Sequence, residues 1–252
     1  MIKGFYAAAS AMVTGVNRQQ TLTHNIANLD TPGFKQVLTT LEDFMSTAVI
    51  SPNDAQDGDV LQYIGSLGLG VESAPEVTDF TQGPLQTTDN DLDVAIDGPG
   101  FFRVETPDGE RYTRDGRFLR DAEGQLVTVD GFYVLDDNGQ HIQLEDGTVE
   151  IAGDGSITVD GEEAAVLGLA EFDDPAAELT RDGNNTFAAS GQPNGENTSL
   201  IKQHALEGSN ASASQIMTQL VEVLRTYQAA QQMVQNQDEL LGRTISSLGR
   251  IG

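Results

Sequence analysis

Apolar residues in the last stretch of the chain recur on alternating steps of four and three. From Ile216 the positions are Leu220, Val223, Tyr227, Ala230, Val234, Gln237, Leu241, Thr244 and Leu248. An average step of about 3.5 residues is the repeat of a helix that packs along another helix. The stretch lacks Pro and is rich in Ala, Leu, Gln, Glu and Met, all good helix formers. Ser212 is placed to cap its start, with Gln215 reaching back and Ala211 facing Ile216. Leu248-Gly249 supplies a stop. The pattern predicts a helix from about Ala213 to Leu248, roughly 54 Å long at ~1.5 Å per residue. Helices of ordinary globular domains are far shorter, so this one calls for a partner.

Residues 2–29 carry the same spacing in Phe5, Ala8, Met12, Gly15, Gln19, Leu22, Ile26 and Leu29, widened by Ala9, Val13 and Val16. Asp30-Thr31-Pro32-Gly33 then ends the helix. Pro at the second position and Gly at the third suit a type II turn, and Pro32 disfavours helix at Thr31. The chain therefore has a seamed helix at each end.

What lies between follows other rules. Residues 36–50 have mixed apolar spacing (Val37, Leu38, Leu41, Phe44, Met45, Val49, Ile50) and read as strand or short helix. Residues 51–60 are polar and turn-forming, and read as mobile. Residues 65–71, GSLGLGV, lack the Gly-Lys-Ser/Thr of a phosphate loop and the flanking elements of a dinucleotide turn; they read as a flexible linker. From residue 91 the texture changes. Asp-Gly or Asn-Gly pairs recur at 97, 108, 115, 130, 138, 146, 154, 160 and 182, separated by short β-rich runs such as LDVAID, FFRVET and QLVTVD. Such pairs tolerate the positive φ of tight hairpins, and many short strands predict an all-β domain. The fold class expected is α+β: long N- and C-terminal helices packing as a coiled coil, with a central all-β domain of short antiparallel strands. The divisions expected are 1–35 and 200–252 as axial helices, 36–90 as extended linker, and 91–199 as the β-rich domain.

Charge sharpens this division. The formal net charge is −26, yet residues 1–35 sum to +2 and residues 200–252 to 0, leaving −28 for the middle. That repels nucleic acid and anionic lipid, so neither is expected as a partner of the middle. The near-neutral ends are where packing against other chains is least opposed.

Candidate chemistry is sparse. The chain has no Cys, which excludes disulfides, thiolate nucleophiles and Cys zinc sites. His24, His141 and His204 lie far apart without metal-ligand spacing. Asp154, Ser156, Thr158 and Asp160 alternate as in a calcium loop, but Gly at the sixth position and Glu at the twelfth are missing. Turn chemistry accounts for these residues. No catalytic residue, metal or cofactor is predicted. No run of apolar residues is long enough for a membrane span. Residues 1–13 hold one Lys and an Ala-rich segment, but they lack Leu and the seam continues through them, so they read as helix rather than cleaved signal.

Three motifs now meet in order. Residues 24–35, HNIANLDTPGFK, resemble the N-terminal signature of bacterial flagellar rod and hook proteins; Asn25, Ala27, Asn28, Thr31, Pro32, Gly33, Phe34 and Lys35 match it, while His24 and Asp30 depart. Residues 91–131, with LDVAI, GFF, YTRDG and GQLVT, resemble the core of the rod members. LEGSN followed by LRTYQAAQQMVQNQDELL is similar to their closing helix, except that Ala-Ser-Ala follows Ser209-Asn210. Residues 36–64 match nothing distinctive. Length and a single β domain point to a rod protein rather than the larger hook protein. The Gly-rich stretch favours the distal rod, with the proximal rod second.

The resemblance implies a structural subunit of the basal-body rod. Such subunits leave through the flagellar type III export apparatus without a cleaved signal and polymerise in the cell envelope into a hollow drive shaft that carries torque from motor to hook. Terminal helices pack inside and the β domain lies outside. Partners implied are further copies of this chain in a helical polymer, other rod and hook proteins, and the rings around the rod. Self-assembly falls to Phe5, Met12, Leu22, Asn25, Ile26, Asn28, Thr31, Pro32, Gly33, Phe34, Ser209, Asn210, Leu220, Leu224, Tyr227, Val234 and Leu241. Two other classes fit the composition: an adhesin-like fibrous protein with coiled-coil stalk and β head, and an acidic β-rich enzyme with helical oligomerisation arms.

Overall fold

The computed structural model describes residues 2–52, 61–194 and 199–248. Most of the polar stretch 51–60, residues 195–198 of the return segment, and the helix stop at Gly249 lie outside these. The chain forms two compact units, one of Met1–His24, Val37–Val77 and Ala213–Gly252, the other of Asn25–Gln36 and Thr78–Ser212.

The first unit holds the two long helices. The N-terminal helix spans Ile2–Ala27 and the C-terminal helix Ala213–Leu248, the latter with the bounds the spacing predicts. Ile216, Val223 and Ala230 are buried, and Leu220, Tyr227, Val234 and Gln237 between them are half-buried, so the four-three seam is real as far as Gln237. Beyond it Leu241 and Thr244 are exposed. The helices meet where the N-terminal one is bare. A Cβ on Gly15 would lie 3.8 Å from the Tyr227 ring, and one on Gly4 would collide with the Gln237 side chain. The two contacts run in opposite directions along the helices, so they pack antiparallel.

The N-terminal helix buries a somewhat different face from the one its apolar spacing suggests. Ala8 and Leu22 are buried as expected, but so are Thr14, Thr21 and Asn25, whereas Phe5, Val13, Val16 and Gln19 are exposed. The reason is a third element, a two-stranded antiparallel hairpin of Leu41–Pro52 and Leu61–Ser73. The linker reading of residues 65–71 is therefore corrected: Gly65, Gly68 and Gly70 sit in the second strand, opposite Val49, Ser46 and Phe44. The strand's outer edge carries unpaired backbone groups that need partners. At Val71 they find them on the helix: its N–H donates to Ser10 Oγ at 3.2 Å and its carbonyl accepts from Thr14 Oγ1 at 3.2 Å. Two turns further along the helix Thr21 donates to Glu76, just past the strand's end, at 2.7 Å. Hydroxyls are buried there because they substitute for a neighbouring strand.

The second unit is all antiparallel apart from the short helix Pro175–Glu178. Its main sheet runs in the order 179–183, 186–189, 109–113, 101–106, 133–134, 126–128, 118–120, with 169–170 also pairing 101–106. A three-stranded sheet follows in sequence (149–151, 156–159, 162–166). Leu200–Gln203 pairs Val94–Asp97, and Ala205–Glu207 pairs Leu85–Thr87. Seven of the nine Asp-Gly or Asn-Gly glycines have positive φ, as tight hairpins require. Phe102, Val104, Phe118, Val134, Ile157 and Ile201 belong to one core; Phe101, Tyr112, Phe172 and Phe187 form a second, aromatic one with edge-on rings.

Candidate assembly faces and a buried charged junction

The candidate assembly residues divide by burial. Phe5, Leu224 and Leu241 are exposed; Met12, Ile26, Asn28, Thr31, Pro32, Asn210, Leu220, Tyr227 and Val234 are half-buried; Leu22, Asn25, Gly33, Phe34 and Ser209 are buried. The exposed ones have apolar company. On the C-terminal helix Met217, Val221 and Leu224 follow one another at helical spacing, with Met233, Leu240 and Ile245 beyond, and on the N-terminal helix Phe5, Tyr6, Val13 and Val16 are exposed. A soluble protein rarely leaves this much apolar side chain in rows on helices.

The buried ones other than Leu22 lie in the second unit. The turn at Pro32-Gly33 forms as its residues dictate: the Phe34 N–H returns to the Thr31 carbonyl at 3.3 Å, and Gly33 has φ +67°. Gly33 is also hemmed in, since a Cβ there would sit 2.3 Å from the Arg114 carbonyl carbon. Its N–H donates to the Glu207 carbonyl at 2.6 Å, tying the turn to the segment that leads to the C-terminal helix. Phe34 lies under the Arg181 guanidinium, 4.6 Å from the ring centre, and Arg181 donates to the Lys35 carbonyl at 2.6 Å. Asn185 donates to the Pro32 carbonyl at 2.9 Å. Asn210 closes the other side: it accepts from the Gln36 N–H at 2.8 Å and donates to the Asp79 and Thr81 carbonyls at 2.8 and 3.1 Å.

At the centre is an ion cluster that charge patterning does not reveal. Lys35, Glu207 and Arg114 are only 0 %, 1 % and 3 % exposed. Lys35 Nζ donates to Glu207 Oε1 at 2.6 Å and to the Thr81 carbonyl at 2.8 Å. Arg114 Nη1 donates to Glu207 Oε2 at 3.2 Å, and Nη2 to the Gly98 carbonyl at 2.8 Å. Glu207 Oε1 also takes the Gly83 N–H at 2.8 Å. The Arg114 guanidinium stands 4.7 Å from the Phe101 ring centre. Burial lowers the pKa of Lys35, with the Glu207 charge pulling the other way, and burial likewise lowers that of Arg114. Two buried cations thus share one carboxylate. The sequence holds a signal for this: each of the motifs GFK, YTRDG and LEGSN contributes one of the three charges, but nothing in a single sequence says they meet.

This arrangement braces and positions. Its charged groups are bonded to one another and to backbone carbonyls. Comparisons with known proteins agree with a structural role. Residues 5–35 match the family described as flagella basal body rod protein, residues 95–159 the D1 domain of flagellar hook protein FlgE/F/G, and residues 202–248 the C-terminal part of flagellar basal body rod FlgEFG proteins. The chain is 35 % identical to a flagellar basal-body rod protein FlgF of Caulobacter vibrioides, over 96 % of this chain and 99 % of that one. It is 31 % identical to a flagellar basal-body rod protein FlgG of Bacillus subtilis, over 98 % and 99 %, and 33 % identical to a FlgF of Rhizobium meliloti, over 99 % of both. Relatives of both names match at similar identity over nearly the whole of this chain, and on that ground the chain belongs to the family of flagellar basal-body rod proteins, a structural and not an enzymatic family.

Proposed function

We propose that this chain is a subunit of the flagellar rod that polymerises through its two terminal helices into a hollow shaft and passes torque from motor to hook. The observation that carries this is the pair of exposed apolar rows, Met217-Val221-Leu224 and Phe5-Val13-Val16, on helices that bury a different stripe within the subunit. Their occupants are the same rows of neighbouring copies and of the adjoining rod and hook proteins. Helix seams then pack as a coiled coil in the inner layer of the shaft, and the acidic β unit forms its outer layer, beside the surrounding rings. The signature residues Gly33, Phe34, Ser209 and Asn210 serve assembly indirectly, by bracing the turn and the closing segment within the second unit. The subunit reaches its place in the cell envelope through the flagellar export apparatus with its N-terminal helix intact.

The test is genetic and biochemical. Deleting the gene should remove motility and leave basal bodies with truncated rods in electron micrographs, and a tagged copy should restore both and co-purify with basal bodies. Intact rods in the deletion strain would contradict the proposal.

A further inference from the structure

The two cations at the junction wait for a carboxylate that comes late in the chain. Lys35 and Arg114 are buried, and among the described residues Glu207 alone puts a carboxylate within ion-pair distance of either. Asp79 acts on Lys35 only at longer range. Glu207 lies 172 residues after Lys35 and 93 after Arg114. The residues around it close the same unit. The Ser199 hydroxyl accepts the buried Gly100 N–H at 2.8 Å. Ile201 enters the larger core, and Leu200–Gln203 supplies the partner strand for Val94–Asp97. The Gln203 side chain bonds the Ile151 N–H and the Val149 carbonyl at 3.1 and 2.9 Å.

We infer that residues 199–210, with Glu207 at their centre, act as a completion switch: the β unit stays unfolded until this segment is present. A chain is made N-terminus first. Until residue 207 is free, folding would bury two cations with no counter-charge, which a marginally stable domain does not survive. The device suits a subunit that must pass unfolded through an export channel, a purpose that rests on the function proposed above. Its mechanism does not, and it is tested on purified protein, where export plays no part.

The full-length chain is refolded from denaturant with pulsed hydrogen exchange. The expected result is that amides of Phe101–Thr106 and Gly109–Thr113 gain protection together with those of Leu200–Gln203 and Ala205–Glu207. Protection of the central hairpin well before the closing segment would overturn the inference. Glu207→Gln should lower the folded-to-unfolded ratio on the order of 100-fold, and adding Lys35→Met should recover at least about tenfold by removing one uncompensated cation. If Glu207→Gln does not fold at all, the double variant still decides: recovery of a folded β unit supports the switch, and failure to recover overturns it. A Glu207→Gln chain that folds with wild-type rate and stability also overturns it.

Discussion

Gly33 meets two demands at once. Its φ of +67° penalises a Cβ, and any Cβ would press on the Arg114 and Asp115 backbones. Gly33→Val should therefore cost at least about 3 kcal/mol, combining strain and overpacking. Pro32→Ala keeps the turn's hydrogen bond and should cost no more than about 1 kcal/mol. Thermal unfolding of the two purified variants checks the contrast, and equal melting temperatures would contradict it. The junction makes a second residue-scale prediction. Glu207→Gln strands two cations, while Lys35→Met leaves the Glu207–Arg114 pair intact. The first should destabilise by about 3 kcal/mol and the second by clearly less, measured by urea titration. Sequence alone makes the turn legible, because Pro-Gly has a local mechanism. It leaves the ion cluster hidden, because Lys35 and Glu207 meet only through the tertiary fold.

Among the elements, the C-terminal helix was legible to its bounds because apolar spacing and helix propensity agree along its length. The β unit was legible as a class from its turn residues, though not its strand order, which depends on non-local pairing. Of the hairpin, Leu41–Pro52 was left open between strand and short helix, and Leu61–Ser73 was missed: three glycines weaken its strand signal, and it is held by Ser10 and Thr14 on a distant helix. The N-terminal helix was half-legible for the same reason, since hydroxyls rather than apolar groups meet the strand edge. Exposure decides the next prediction. Leu224 is 38 % exposed beside the seam, so Leu224→Asp should leave the isolated subunit folded but place a carboxylate in the contact between copies. Circular dichroism should be unchanged within the helix and β signals, and a strain carrying only this variant should not swim; normal swimming would remove Leu224 from the contact. Limited proteolysis probes the helices directly. With no neighbouring copies, their outer turns are the first sites expected to be nicked, and the resistant core should run from about residue 30 to about 211, retaining both halves of the junction. A core that stops short of Lys35 or Glu207 would contradict the brace.

At the scale of the whole molecule, charge and apolar surface are segregated. The middle of the sequence carries a net −28 and the ends +2 and 0, while the helices present rows of apolar side chains. Like-charged middles keep free subunits apart, and near-neutral helices let them join. The account therefore turns on one claim, that the exposed helix rows become buried in the rod. The chain has no Cys, so a single introduced thiol reports its own surroundings. Met217 is 58 % exposed in the subunit and begins the row with Val221 and Leu224. Met217→Cys, and Glu163→Cys on the exposed β surface as the comparison, are each treated with a maleimide, once as free subunit and once in purified basal bodies. The account predicts that both thiols react in the free subunit and that Met217→Cys alone is protected in the basal body. Labelling of Met217→Cys as complete in basal bodies as in free subunits would contradict it.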